Sequence, residues 1–114
     1  MYRVLVFGMT ENPGGVESVI MNYYRNIDKT KIQFDFLCNF HEAAAYENEL
    51  KDLGGQVFHI TARSDNYRRY KEELDNFFRN SQGKYQAIWV NICSLANIDY
   101  LILAKKYGIP RRII

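Results

Sequence analysis

Residues Val4 to Glu17 read VLVFGMTENPGGVE, and the architecture of the chain can be argued outward from this segment. The short apolar run from Val4 to Phe7 predicts a buried strand, and a polar loop with glycines separates it from an amphipathic helix. Such a loop places backbone N–H groups at the helix N-terminus, where the helix dipole favours an anion. The segment therefore predicts a strand–loop–helix unit that is able to hold a ligand.

Gly14 and Gly15 are the candidate binding residues of this loop. We expect them to let the backbone approach a ligand and to adopt φ values that are closed to other residues. The alternative, that they only make a tight turn, stays open. Two known phosphate motifs are excluded: Walker A needs Lys and then Ser or Thr where Val16 and Glu17 stand, and the glycines do not have the G-x-G-x-x-G spacing. The charge of Glu17 would oppose tight phosphate binding by this loop alone.

The rest of the chain repeats the alternation of strand and helix. Strands are predicted at 3–8, 31–38, 56–60, 87–90 and 111–114, and helices at 15–27, 46–53, about 67–78 and 95–107. The apolar positions of the first helix are Val16, Ile20, Tyr23 and Ile27, and those of the last are Ile98, Leu101, Ile102 and Lys105. This alternation predicts a Rossmann-like α/β/α sandwich with a parallel sheet of order 3-2-1-4-5.

In that order the first and fourth strands are neighbours, and a ligand is expected beyond their carboxyl ends. The loops that follow these strands contain Gly14, Gly15, Asn91 and Ser94. The topology therefore predicts that these four residues meet at one crevice.

Composition limits the class of protein. The 114 residues are 47% hydrophobic, which fits one globular domain, and the net charge of +2 is too small to indicate a nucleic-acid partner. No apolar run is long enough for a membrane span. Cys38 and Cys93 have neither metal-ligand spacing nor a disulfide framework, so we expect no metal site and a reducing cytoplasm.

Each of the remaining polar residues is considered either as structural or solvated, or as part of a functional site. His59 is expected to be structural, and His41 to lie in an exposed loop or touch an acceptor; Glu47 and Glu49 are expected on the solvated side of a helix. A basic group near the third helix is either a solvated face or a contact with anionic lipid, and it consists of Arg63, Arg68, Arg69 and Lys71.

With these residues placed, nearly the whole chain resembles the N-terminal domain of GT-B glycosyltransferases of family 4, in the style of bacterial enzymes for capsular or exopolysaccharide. The most specific part is Gly14-Gly15-Val16-Glu17 with Asn22 downstream. Other similar segments are 4–8, 21–25, 27–28, 34–37, 49–50, 53–55 and 107–110. Because a strand begins at 111 with no element after it, we expect residues 1–114 to be the N-terminal domain of a longer enzyme.

The resemblance implies a retaining, hexosyltransferase-type enzyme whose active site lies between two Rossmann-like domains. The absent C-terminal domain would bind the nucleotide sugar and contain an E-x7-E signature, so this domain alone is expected to be inactive. Gly14 and Gly15 would lie near the donor phosphate and sugar, and the acceptor-side candidates are Asn12, Glu17, Asn91 and Ser94. The acceptor would be a glycan or a lipid-linked glycan at the inner face of the membrane, with no cofactor or metal.

The chain departs from the family pattern at two points, and two other interpretations of its function stay open. Relatives often have His after the fourth strand, where this chain has Asn91, Cys93 and Ser94. A further His-containing loop commonly follows the fifth strand in the family, beyond residue 114 of this chain, so no general acid or base is assigned. One rival is a non-catalytic flavodoxin-like or receiver-like interaction domain, although a receiver needs clustered Asp near the positions where Asn12, Asn39 and Asn91 stand. The other is a GT-B-derived domain that only binds a ligand or partner.

Overall fold

The computed structural model describes residues 2–91 and 99–113, which form nine alternating strands and helices. The strands are β1 (Tyr2–Phe7), β2 (Ile32–Cys38), β3 (Val57–His59), β4 (Ala87–Val90) and β5 (Arg111–Ile113). The helices are α1 (Gly15–Asn26), α2 (Glu47–Asp52), α3 (Tyr67–Asn80) and α4 (Asp99–Lys106). Each element lies within a few residues of its predicted position; the expected start of α4 at Leu95 lies outside the described residues.

All strand pairs are parallel, and the order is β3-β2-β1-β4-β5, as predicted. At the centre of the sheet Val6 is aligned with Phe36 of β2 on one side and with Trp89 of β4 on the other. The carboxyl ends of β1 and β4 therefore lie side by side. This Rossmann-like arrangement places the loop after β1 at the point where the strand order reverses.

Two hydrophobic layers cover the two faces of the sheet, and β1 contributes to both. Val4 and Val6 belong to the layer that contains α1 and α2, whereas Leu5 and Phe7 belong to the layer that contains α3 and α4. Successive strand residues point to opposite faces, so an unbroken apolar strand fits a sheet that is buried on both sides.

The structure corrects the predicted faces of two helices. In α1 it is Tyr24, with no exposed surface, that enters the core, while Tyr23 is 59% exposed. In α4 the buried residues are Tyr100 and Ala104, and the predicted core residue Ile102 is 54% exposed. Ile20 is fully buried as predicted, and Val16, Ile27 and Leu101 pack against the core, so each predicted face is wrong only in part.

Within residues 2–91 and 99–113, no helix combines the length and the apolar character that crossing a bilayer would need.

Candidate functional site

A cleft of about 340 Å³ opens at the carboxyl edge of the sheet, where the first helix meets the ends of the central strands. Its walls are the glycine loop (residues 8–15) and the first turn of α1 on one side and Asn91 on the other. The lining residues are Phe7, Gly8, Met9, Thr10, Gly15, Val16, Glu17, Leu37, Asn39, Asn91 and Tyr100. The cleft thus has an apolar floor and a polar rim of backbone, amide and carboxylate groups.

Gly8 allows the ends of β1 and β4 to approach each other at the base of the cleft. Its φ of +123° is a conformation that L side chains rarely adopt, and a Cβ there would lie 2.6 Å from the Asn91 carbonyl oxygen. The Asn91 N–H donates to the Phe7 carbonyl oxygen at 3.0 Å. Asn91 is therefore held at the rim of the cleft by the backbone of β1.

Glu17 fixes the glycine loop from the first turn of α1. One carboxylate oxygen accepts a hydrogen bond from the Gly14 N–H at 3.0 Å, and the other accepts one from the Thr10 hydroxyl at 2.8 Å. The first bond is the reach-back half of a capping box, in which an acidic residue at the third helical position satisfies the N-cap N–H. Glu17 is only 5% exposed, so its charge is committed to the loop.

The Glu17 carboxylate stays ionised in this setting. Burial acts to raise its pKa, but hydrogen bonds from its own backbone, from Thr10 and from Gly14 outweigh burial, and the pKa lies below its usual value. The expected negative charge beside the loop is therefore present. A free phosphate in contact with the carboxylate would meet direct repulsion.

The conformations of Gly14 and Gly15 contradict part of the expectation. Gly14 has a φ of −120°, and Gly15 is not among the glycines with positive φ, so neither occupies a region closed to other residues. Apart from its chain neighbours and the backbone of α1, no atom of the described residues lies within 4 Å of the Cβ position of Gly15. No residue in the described ranges accepts a hydrogen bond from the N–H of Gly15 or Val16.

The other predicted site residues are only partly gathered. Asn91 and Glu17 line the cleft together with Gly15, whereas Gly14 borders it without lining it. Asn12 is exposed and does not line the cleft; its N–H donates to the Thr10 hydroxyl oxygen at 3.2 Å. Ser94 and Cys93 lie outside the described residues.

Gly8, Thr10 and Tyr100 are among the lining residues that were not anticipated as site residues. A glycine directly after a buried strand is a signal for close backbone approach, and it could have pointed to Gly8. Thr10 gave no signal, because its bond to Glu17 depends on the path of the whole loop. Within the described part of the chain, no group of three or more His, Cys, Asp or Glu side chains could hold a metal ion.

The loop after β2 (residues 39–46) contradicts the expected role of Glu47. The side chain of Glu47 is not solvated but accepts hydrogen bonds from the Ala44 N–H at 3.1 Å and from His59 at 2.7 Å. His59 is thus part of the framework at this edge, and His41 lies 3.4 Å from the Thr61 hydroxyl. The Ala45 N–H donates to the Thr10 carbonyl oxygen at 2.8 Å, which joins this loop to the glycine loop.

Comparison with known proteins adds one relative. "Putative glycosyltransferase EpsF" of Bacillus subtilis (strain 168) is 47% identical over 58 residues, which are 51% of this chain. The matched part spans only 15% of the length of that protein. No protein-family model matches the chain, and no solved structure does either.

Proposed function

We propose that this chain is the acceptor-side domain of a retaining glycosyltransferase that builds cell-surface polysaccharide. The transferred sugar would come from a nucleotide-sugar donor held mainly by a second domain, without a metal cofactor. The acceptor would be a glycan or a lipid-linked glycan, and the reaction would take place in the cytoplasm at the inner face of the membrane.

The observation that most directly supports this proposal is the open approach to the start of α1. Gly15 and Val16 line the cleft, and their N–H groups have no acceptor among the described residues. Apart from the chain neighbours of Gly15 and the backbone of α1, no described atom lies within 4 Å of its Cβ position. Preorganised backbone donors at a helix N-terminus stabilise oxygen atoms on which charge develops. A sugar or phosphate oxygen of a transferring group fits these donors.

The relative supports the same class of reaction. EpsF is described as a glycosyltransferase, and 47% identity over 58 residues is a close similarity for that part of the chain. Because the match spans 15% of EpsF, activity is proposed for a full-length protein in which a second domain completes the cleft. The 114-residue domain alone should show no transfer, because donor and acceptor must be held together in near-attack geometry.

The test is sugar transfer by the full-length protein, assayed by mass spectrometry with a panel of nucleotide sugars and membrane-derived acceptors. In a transferring enzyme, Gly15→Val should reduce kcat/KM by about 100-fold or more while the protein stays folded, because a branched side chain would occupy the approach to the N–H donors. Ser18→Val is the matched control: it adds the same side chain at an exposed position of α1 that does not line the cleft.

Absence of transfer with every donor and acceptor would contradict the proposed activity. Transfer with near-normal kcat/KM in a folded Gly15→Val enzyme would instead contradict the site and leave the glycines as parts of a turn. The rival receiver-like function finds no support at the cleft, where Asn39 and Asn91 offer amides in place of carboxylates.

The proposal includes contact with anionic lipid near α3, on a smaller surface than the sequence indicated. Arg68 and Arg69 pair with Glu72 and Glu73 of the same helix. Arg63 likewise pairs with Asp99 at 3.8 Å, although its guanidinium also lies 5.0 Å from the ring centre of half-exposed Tyr67. The Lys71 ammonium, 5.4 Å from the same ring centre, is therefore the main cation of the proposed surface. Co-sedimentation with phosphatidylglycerol vesicles but not phosphatidylcholine vesicles is expected, and its persistence in Lys71→Glu would contradict this surface.

A further inference from the structure

Another cavity, of about 420 Å³, lies on the face of the sheet that is covered by α1. Its walls are aromatic and aliphatic side chains, and they include Tyr2, Tyr23, Phe34, Trp89 and Ile113; we call it the aromatic groove. The groove shares no lining residue with the cleft beside the glycine loop. Its volume lies within the range of about 300–1,000 Å³ that is typical of small-molecule sites.

The topology of the chain leaves this groove open. α3 and α4 pack in the layer on the opposite face of the sheet, so α1 is the described helix that borders the groove. Trp89 and Ile113 are aligned in the β4–β5 pair, so both side chains point to the α1 face. Tyr2, Tyr23 and Ile113 remain 36%, 59% and 48% exposed. Clustered apolar exposure of this kind is typical of a binding surface.

The aromatic rings of the groove form a fixed corner. Tyr23 lies edge-on to Trp89, with the ring centres 5.6 Å apart and an angle of 86° between the ring planes. Buried Phe34 also packs edge-on against Trp89, with the ring centres 6.0 Å apart. Trp89 is therefore held by two aromatic neighbours before a ligand arrives, which reduces the side-chain entropy that binding would cost.

Uncharged polar groups lie beside these rings. The hydroxyl groups of Tyr2 and Tyr23 have no hydrogen-bond partner among the described residues. An adjoining hollow shares Tyr23 with the groove and is also lined by Asn22 and Asn26. The side-chain N–H of Asn26 donates to the Asn22 carbonyl oxygen at 2.7 Å, which leaves the Asn22 carboxamide open. None of the described lining residues is charged; Arg111, which the β4–β5 register places on this face, does not line the groove.

We propose that the aromatic groove binds an uncharged glycan chain. A pyranose ring presents C–H groups on its faces and hydroxyl groups around its rim. The C–H groups carry partial positive charge and pack against the negative ring faces of Tyr23 and Trp89, while the sugar hydroxyls reach the tyrosine hydroxyls and the Asn22 carboxamide. An acyl chain or an apolar helix would leave these polar groups unused. An anionic polymer would meet no cation among the described lining residues.

The groove and the cleft are at different ends of the sheet. Tyr2 and Ile32 line the groove and begin β1 and β2, whereas the cleft lies where β1 and β4 end. A glycan in the groove would therefore be held away from the reacting end, as an anchor for chain already built. The inference goes beyond the proposed transfer reaction and does not depend on it, because binding is measured without a donor or a second domain.

The test is an NMR titration of the 114-residue chain, in which Trp89 is the single tryptophan and its indole N–H reports on the groove. The probes are three neutral oligosaccharides: chitotetraose, cellotetraose and maltotetraose. At least one should shift the signals of the Trp89 indole and of the Tyr23 and Ile113 backbone N–H groups saturably, with a Kd of about 1 mM or tighter. The Kd should change by less than about twofold between about 50 mM and about 300 mM salt, because no charge takes part.

Two substitutions of Tyr23 separate stacking on a sugar from plain apolar contact. Tyr23→Ala should weaken binding by about tenfold or more, and Tyr23→Leu should weaken it similarly because leucine is apolar but has no ring face. Val19→Ala is the matched control: it truncates another exposed side chain of α1, which does not line the groove, and it should bind like the unmodified chain. Circular dichroism checks that each variant is folded.

The inference is wrong if no probe shifts the Trp89 indole signal, if the shifts are confined to cleft residues such as Gly15 and Asn91, or if folded Tyr23→Leu binds as tightly as the unmodified chain. Trp89 signals that change with protein concentration alone, together with dimers in sedimentation velocity, would assign the groove to a second copy and also overturn it. If the Tyr23 variants do not fold, the shifts in the unmodified chain still decide.

Discussion

Gly8 and Gly15 lie at opposite ends of one loop, and they are glycines for different reasons. At Gly8 the backbone has a φ of +123°, and a Cβ would lie 2.6 Å from the Asn91 carbonyl oxygen. At Gly15 the backbone is helical, and within the described residues only its chain neighbours and the backbone of α1 come within 4 Å of the Cβ position. The first glycine is required by packing within the chain, and the second is required by nothing within the described residues.

This difference is the basis for the proposed ligand site at Gly15. Where packing within the chain requires a glycine, as at Gly8, no ligand is needed to account for it. Its substitution should lower the free energy of unfolding. At Gly15 the described residues leave room at the start of the helix, and its N–H has no described partner, so a ligand could approach there. Between them stands Glu17, which fixes the loop by hydrogen bonds and whose loss should have an intermediate effect. Substitutions at the three positions can therefore separate folding from binding.

The largest effect is expected for Gly8→Ala. The positive φ and the contact with the Asn91 backbone must both be relieved, and together they should cost about 3 kcal/mol or more of the free energy of unfolding. Thermal denaturation followed by circular dichroism should show a Tm lower by about 10 °C or more. A Gly8→Ala protein with an unchanged Tm would mean that the ends of β1 and β4 are not in close contact.

Glu17→Ala should have the next largest effect. It removes the acceptor of the Gly14 N–H and of the Thr10 hydroxyl, which should cost about 1–2 kcal/mol at neutral pH. Because folding lowers the pKa of Glu17, its contribution is present above the unfolded-state pKa and is lost as pH falls through the folded-state value. Urea denaturation should therefore show a difference between the two proteins that shrinks in acid. A difference that stays constant would exclude the ionised carboxylate as its source.

Gly15→Ala should have the smallest effect on stability, and its sign should be opposite. The first helical position accepts alanine without strain, so stability should rise by less than about 1 kcal/mol. Urea denaturation of the 114-residue chain measures this change. A loss of more than about 1 kcal/mol would reveal a packing requirement at Gly15 and remove the contrast with Gly8.

Much of this fold is readable from the pattern of residues. The apolar run of β1, the glycine before α1 and the repeated alternation of strand and helix led to the observed sheet order. The reason is that right-handed crossovers and two-sided burial leave few arrangements for such a chain. The same argument brought Gly15 and Asn91 to one cleft, because neighbouring parallel strands end at the same edge.

The sequence was a poorer guide to which face of a helix is buried and to which polar side chains pair. Tyr23 and Tyr24 are chemically alike and adjacent, so periodicity could not tell which of them enters the core. Glu47 looked like a solvated helical residue because its partner His59 is twelve residues away on another strand. Such choices depend on the distances between elements after they have packed, and local pattern contains no record of those distances.

By itself the sequence determined the elements, their order in the sheet and the edge at which the loops after β1 and β4 meet, because periodicity and chain connectivity are local properties that limit topology. The tertiary structure alone decided that Gly8 rather than Gly14 needs an unusual φ. It also decided that Glu17 accepts hydrogen bonds from the glycine loop, and that the loop after β2 is bonded to the glycine loop through Ala45 and Thr10. These features arise where backbone segments distant in sequence come within hydrogen-bond distance, and only the packed chain sets that distance.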